Sequence, residues 1–301
     1  RRDMAMEHSY AEDHFNTGER TDLRVLMGNS LCVRRIEKVV PTDYSVIIQG
    51  ETGVGKELAA KAIHFASRRS GRSFVALDCA TIPDSLVESE LFCYEKGAFT
   101  GADERRDGYF STAGGGTVFL DEVANLSSDA QKKLLRSLQE RKVQPLGGKR
   151  SVDFDARFVV ACNVPLETSV KSGDFRKDLY YRLNEFSLYI PPLRERKKDI
   201  VHLAHKFLCE ISLKLEKDID GFSQDAMEIL ESHNYPGNVR ELRNIIKQVA
   251  LACDGQVTEE NLLFLILGRK SGSLRDEELV ALEEGLSMKE ISKKKASEVE
   301  S

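Results

Sequence analysis

Ser45-Val46-Ile47-Ile48-Gln49-Gly50-Glu51-Thr52-Gly53-Val54-Gly55-Lys56-Glu57 is the stretch that decides the fold. The run Ser45–Gln49 is short, continuous and rich in Val and Ile, as buried parallel strands are. It opens directly into a Gly-x4-Gly-Lys spacing. A helical pattern follows over Glu57–Ser67, with Leu58, Ala62, Ile63 and Ala66 on one face. Strand, glycine loop and helix in that order make a phosphate-binding loop. The glycines let backbone N–H groups close on phosphate oxygens, and the helix N-terminus adds positive potential. Gly50, Glu51, Thr52, Gly53, Val54, Gly55, Lys56 and Glu57 are therefore candidate nucleotide contacts, with Lys56 placed for the outer phosphates. Glu57 stands where a Ser or Thr ligand to magnesium is usual.

Further strands are expected at Phe74–Asp78, Thr117–Leu120, Phe158–Cys162 and Phe186–Ile190, with a helix at Ser128–Arg141 between the second and third of these. The alternation reads as a doubly wound α/β domain. The run Gly114–Leu120 ends in Asp121-Glu122. At the carboxyl edge of a parallel sheet, Asp121 would hold magnesium and Glu122 would activate a water. The competing reading is a pair that caps the next helix. Asn163, at the end of a strand, is a candidate for the γ-phosphate or the water, or simply a turn residue. Arg176 and Arg182, read as sharing one helix, are candidate arginine fingers for a neighbour's site, with a surface pair of Arg182 and Asp178 as the alternative. Arg240 opens a later helix and could report the γ-phosphate.

After Pro191-Pro192 the pattern becomes helical. Ile200, Leu203, Ala204, Phe207, Leu208 and Ile211 form one stripe, and Ser223 is an expected N-cap for Gln224–His233. The expected organisation is a leader over 1–22, an α/β nucleotide-binding subdomain over 23–193, a small all-helical lid over 194–267 and a charged linker stub over 268–301. Hydrophobic residues make up 41% of the 301, charged residues 31%, and the formal net charge is −5. A soluble chain is expected, not one whose task is coating nucleic acid. No apolar run approaches the ~20 residues of a membrane span. Residues 1–12 carry no apolar core of a secretory signal. The six cysteines show no metal-binding spacing and suit a reducing compartment.

One element is foreign to a generic nucleotide-binding core. Gly97-Ala98-Phe99-Thr100-Gly101-Ala102 lies between the phosphate loop and the acidic pair, and its flanking glycines suit a loop that moves. Together with GETGVGKE, ESELFCYEKGAFTGA, GGGTVFLDE, FRKDLYYRLN, PPLRER and PGNVREL, it makes the stretch from about Leu26 to Cys253 resemble the central AAA+ domain of bacterial sigma-54-dependent transcription activators, the NtrC-like enhancer-binding proteins. The resemblance implies an AAA+ P-loop NTPase that binds ATP and Mg2+ and forms a ring, usually a hexamer. It implies a cytoplasmic ATPase that remodels the closed complex of sigma-54 RNA polymerase. It assigns Mg2+ to Asp121, water activation to Glu122, sensing to Asn163 and Arg240, trans-acting fingers to Arg176 and Arg182, and the sigma-54 contact to Gly97, Ala98, Phe99, Thr100, Gly101 and Ala102. It also accounts for Glu57, since the family often carries GKE.

The chain departs from that pattern at Asp78, where the family commonly has an Asn that holds the catalytic glutamate back. Asp78 is therefore the candidate switch position, and a second carboxylate there would raise the Glu122 pKa. Cys162 replaces a usual Thr, Cys93-Tyr94 a Gly-His or Gly-Tyr, and Tyr235 a Trp. No sensory domain or helix-turn-helix is evident, so the chain reads as an excised central domain or a naturally short protein. Promoter or enhancer DNA would be reached only through a domain outside it, and no membrane contact is expected. Three other readings compete: a regulator of the same family with weak or absent hydrolysis, a general AAA+ unfoldase or helicase loader, and a pure DNA-binding regulator.

Overall fold

A computed structural model describes residues 31–98, 104–105, 107–148 and 150–270. The short apolar runs form strands β1 (Val46–Gln49), β2 (Phe74–Asp78) and β3 (Thr117–Asp121). A two-stranded antiparallel hairpin of β4 (Lys142–Val143) and β5 (Val152–Asp153) follows, then β6 (Arg157–Cys162) and β7 (Phe186–Tyr189). The main sheet has five strands in the order β2-β3-β6-β1-β7, and every pairing in it is parallel. Parallel neighbours need crossover connections, and helices supply them. After α1 (Leu31–Val39), which precedes β1, these are α2 (Lys56–Phe65), α3 (Asp84–Phe92), α4 (Tyr109–Thr112), α5 (Ser128–Glu140), α6 (Leu166–Ser172) and α7 (Lys177–Leu183). The helices α1, α3 and α6 and the β4–β5 hairpin carry no clear signal in the sequence.

The strands lack polar alternation because both faces of the sheet are covered. Ile47, Val118, Leu120, Phe158 and Val160 pack in one buried cluster. Their strand neighbours Val46, Ile48, Phe119, Val159 and Ala161 pack in the other. With a side-chain period of two, β1, β2, β3 and β6 feed both cores, while the edge strand β7 feeds only the second, through Phe186 and Leu188. The parallel arrangement also sets all five carboxyl ends along one edge, where Gly50, Asp78, Asp121 and Asn163 fall.

One buried cation breaks the apolar pattern. Arg157, at the start of β6, is 1% exposed. Its guanidinium donates to the carbonyls of Val39 (2.9 Å) and Tyr44 (3.1 Å), with a longer contact to Val40 (3.5 Å). Those oxygens belong to the C-terminus of α1 and the turn after it, where a helix leaves carbonyls unsatisfied and favours positive charge.

The chain divides into two compact units between Glu195 and Arg196. The second unit contains α8 (Lys197–Leu215), α9 (Gln224–Ser232), α10 (Asn238–Ala252) and α11 (Glu259–Lys270). Ile200, Leu203, Ala204, Phe207 and Leu208 are buried along α8, and Ile211 is half-buried. Ser223 caps α9, its hydroxyl accepting from the Ala226 N–H at 3.2 Å. A two-residue parallel pairing of β8 (Gly221–Phe222) with β9 (Gln256–Val257) adds to this helical unit. No helix among the described residues is long and apolar enough to cross a membrane.

Arg157→Met is expected to remove the Arg157 donor from the Tyr44 and Val40 carbonyls, and from a Val39 carbonyl that Thr42 still serves, and to lower stability by about 3 kcal/mol. Urea unfolding of Arg157→Met against the parent checks this, and an unchanged midpoint would show that water satisfies those oxygens equally well.

Candidate nucleotide site

The loop between β1 and α2 is fixed at its start by the Gly50 N–H, which donates to the Cys162 carbonyl at 3.3 Å. At its end, Gly55 precedes α2 with φ 102°, a left-handed conformation. A Cβ there would meet nothing within 4 Å, so conformation and not crowding demands the glycine. No side chain caps α2, which leaves its first N–H groups pointing into the loop. Lys56 is 6% exposed. Its ammonium donates to the carbonyls of Gly50 (3.1 Å) and Glu51 (3.4 Å) and to Asn163 Oδ1.

The acidic pair closes the other side. Asp121 ends β3 in register with Asp78 of β2. Its Oδ1 accepts from the Glu122 N–H at 2.9 Å. Glu122 has φ 51° and ψ 43°, left-handed for a residue with a side chain, and makes no side-chain cap bond. The capping reading of the pair therefore fails, and Ser127 caps α5 instead. Burial raises the Asp121 pKa, while the Lys56 charge opposes the rise. Glu122 is raised too, first by burial; Asp121 and Asp78 repel its charge, while Lys56 and a hydrogen bond with Asn163 favour it. Asp78 itself accepts from the Ala80 N–H at 2.9 Å. Cys79 and Cys162 are buried beside these groups, and burial pushes each thiol up to about 12, so they remain inert thiols.

The structure thus brings together Gly50–Glu57, Asp78, Asp121, Glu122 and Asn163. The donor set fits a nucleoside triphosphate, with glycine-loop N–H groups, an uncapped helix start and a lysine for phosphate oxygens. It also fits magnesium, which is commonly held by one or two carboxylates together with phosphates and water. Asp121 is the residue that would hold it.

The arginines lie elsewhere. Arg176 is not on the α7 helix but precedes it, and its guanidinium binds Asp178 through two bonds of 3.0 and 2.6 Å. This corrects the pairing of Asp178 with Arg182. Arg182 is exposed and donates to the Leu138 carbonyl at 3.2 Å. Arg240 is exposed on the first turn of α10 in the second unit. The turn before it is tightly built. Tyr235 and Asn238 have positive φ, and Glu241 accepts from the Gly237 N–H at 2.8 Å and lies 3.0 Å from His233 Nε2. Ala98 packs beside Gly147, Gly97 has φ 82°, and Glu95 N–H donates to Leu146 O at 3.0 Å. Phe99, Thr100, Gly101 and Ala102 lie outside the described residues.

Sequence reading missed one charged contact at this edge. Arg194 holds Glu51 with two bonds of 2.9 and 2.6 Å. It tethers the phosphate loop to the Leu193–Glu195 turn that ends the first unit. The only signal was PPLRER, a motif with no chemistry of its own.

A five-stranded parallel sheet with this glycine loop, its lysine and an acidic pair at the end of β3, one strand removed across β6, defines a P-loop NTPase of the AAA+ class. Residues 28–189 match the sigma-54 interaction domain, and residues 194–278 match the AAA+ ATPase lid domain. The chain belongs to the family of central AAA+ domains of sigma-54-dependent transcription activators. It is 44% identical over 252 residues to the transcriptional regulatory protein ZraR of Klebsiella oxytoca, covering 83% of this chain and 56% of that protein. It is 47% identical over 234 residues to the phenol regulator MopR of Acinetobacter guillouiae, covering 76% and 42%. Among solved structures, NtrX of Brucella abortus in complex with ATP superposes with a TM-score of 0.74 at 32% identity, covering 88% of this chain and 60% of that one. The chain spans about half the length of the curated relatives it matches.

Asp78→Asn removes one like charge facing Glu122, so Glu122 should ionise at lower pH than in the parent. A carbon-13 NMR titration of the glutamate side chains follows this directly. An unmoved Glu122 midpoint would remove Asp78 from its electrostatic environment.

Proposed function

We propose that this domain hydrolyses ATP and uses the cycle to remodel the closed promoter complex of sigma-54 RNA polymerase. The observation that carries the hydrolytic reading is the position of Asn163, whose side chain bonds to both the Lys56 ammonium and the Glu122 carboxylate. A γ-phosphate drawing on Lys56 would compete for the same contact, so Asn163 is built to sense it. Family membership and the ATP complex of the NtrX relative support ATP as the nucleotide.

In this mechanism the loop Gly50–Glu57 binds the phosphates, and Lys56 turns from the Gly50 and Glu51 carbonyls toward them. Magnesium held by Asp121 would supply charge neutralisation on the phosphate oxygens. Glu122, ionised, accepts a proton from the attacking water, and Asn163 orients that water. In this reading Arg176 and Arg182 give up Asp178 and the Leu138 carbonyl to serve a neighbour's site in a ring, a hexamer, and family membership is what supports that role. Arg240 would sense the nucleotide from the lid. The proposed organisation keeps a leader at 1–22, the α/β subdomain at 23–193, the lid at 194–267 and a linker at 268–301. It places the work in the cytoplasm.

A second reading, weak hydrolysis with retained binding, is favoured by one observation: Asp78 in register with Asp121 adds a carboxylate beside the candidate base. Two variants decide between them. Lys56→Ala should abolish nucleotide binding. Glu122→Gln should retain binding and lose at least about 100-fold in turnover, the scale of general-base catalysis. ATP binding by calorimetry and steady-state turnover check both, and a parent turnover no higher than that of Glu122→Gln would favour the second reading.

The sigma-54 contact is assigned to Gly97–Ala102. Thr100→Ala should keep ATP turnover within about twofold, because this assignment gives Thr100 no part in hydrolysis. It should lose binding to purified sigma-54 in the presence of ADP and aluminium fluoride. Parallel loss of turnover and melting temperature would instead make the loop a packing element.

A further inference from the structure

The segment that carries Arg176 and Arg182 is tied at both ends to its own subunit's nucleotide machinery. At one end stands Gln131 of α5, 1% exposed. Its amide is fully used. Nε2 donates to the carbonyls of Leu126 (2.8 Å) and Asp174 (2.9 Å), and Oε1 accepts the Arg176 N–H (2.8 Å). Leu126 belongs to the turn that follows Asp121 and Glu122. One buried side chain therefore spans from the acidic edge to the backbone of the first arginine. Flipping this buried amide would break all three of those bonds, so its pose is fixed.

At the other end stands Tyr180 of α7. Its hydroxyl donates to Glu167 Oε1 at 2.7 Å and accepts from Asn184 Nδ2 at 2.7 Å. The second oxygen of Glu167 accepts from Gln49 Nε2 at 3.2 Å. Gln49 is the last residue of β1, directly before Gly50. The tyrosine bond holds the Glu167 carboxyl below the usual carboxylate range. Burial, with the Glu167 charge beside it, pushes the Tyr180 hydroxyl up to about 12, so it remains a donor. Arg182 itself binds the Leu138 carbonyl of α5, the helix that carries Gln131.

We infer that Gln131 and Tyr180 are positioning residues that set the pose in which Arg176 and Arg182 are offered to a neighbouring copy of the chain. Gln131 registers the arginine segment against the Asp121-Glu122 edge, and the Gln49–Glu167–Tyr180–Asn184 relay registers it against the phosphate loop. A shift at a subunit's own nucleotide site would thereby move the arginines it presents next door. This inference rests on the ring reading proposed above.

Mixed rings of the full chain test it. Lys56→Ala subunits supply arginines and bind no nucleotide. Subunits with both Arg176→Ala and Arg182→Ala bind nucleotide and supply no arginine. The parent mixture is measured first: if it gives no complementation, the ring reading fails, and this proposal fails with it. With complementation, Tyr180→Phe is added to one partner at a time. It removes a single hydroxyl and leaves the ring in place, so the fold should persist. In the arginine-supplying subunit it should lower complemented turnover about tenfold, the scale of a small misplacement of a reacting group, with KM for ATP unchanged. In the nucleotide-binding subunit it should change nothing. A loss that follows the nucleotide-binding subunit, a change in KM alone, or equal turnover in all mixtures would overturn the assignment. Gln131→Leu, close in volume, should act in the same direction, and its melting temperature separates mispositioning from unfolding.

Discussion

The ammonium of Lys56 is the interaction on which the site depends. A cation this buried is stable only with oxygen partners, and three converge on it from two strands' ends. Gly50 and Glu51 come with the loop. Asn163 comes from β6, which must pair directly with β1 to reach it. The strand order therefore shapes a charge contact. Exchanging β6 and β3 in the sheet would set the acidic pair beside the loop and take Asn163 away from Lys56.

The same edge carries an excess of negative charge. Asp78, Asp121 and Glu122 face a single lysine, and burial weakens their solvation. Phosphates brought into this environment would add to the repulsion. The uncapped N–H groups at α2 would offset part of it, and so would a divalent ion if Asp121 held one as proposed. Asp78 makes this balance narrower than an asparagine would, because its charge repels those of Asp121 and Glu122.

What was legible in the sequence follows from how local the signal is. The five buried strands announced themselves because burial on both faces forces unbroken runs of Val, Ile and Phe. The phosphate loop and the acidic pair are contiguous motifs with one dominant reading. Ser223 was visible as a cap because its partner lies three residues away. The contacts that escaped are long-range and use ordinary residue types. Arg194 meets Glu51 from 143 positions away, and Arg157 reaches back 118 positions to Val39. Gln131 looks like any polar helix residue until the fold folds Asp174 and Arg176 against it. The Arg182–Asp178 pairing failed for a related reason. Spacing of four suits a helix, but Arg176, just ahead of the helix, presents a better fork to the same carboxylate.

The backbone of Glu122 has a consequence for how such a domain changes over generations. A left-handed conformation costs a residue with a side chain about 1–3 kcal/mol, and a glycine much less. Relief of raised carboxylate charge would add to the gain. Under the proposed mechanism, stability and hydrolysis would thus pull in opposite directions at one codon. Lineages under pressure for robustness alone would drift first at this position, and nucleotide-binding relatives that no longer turn over would be the expected residue of that drift.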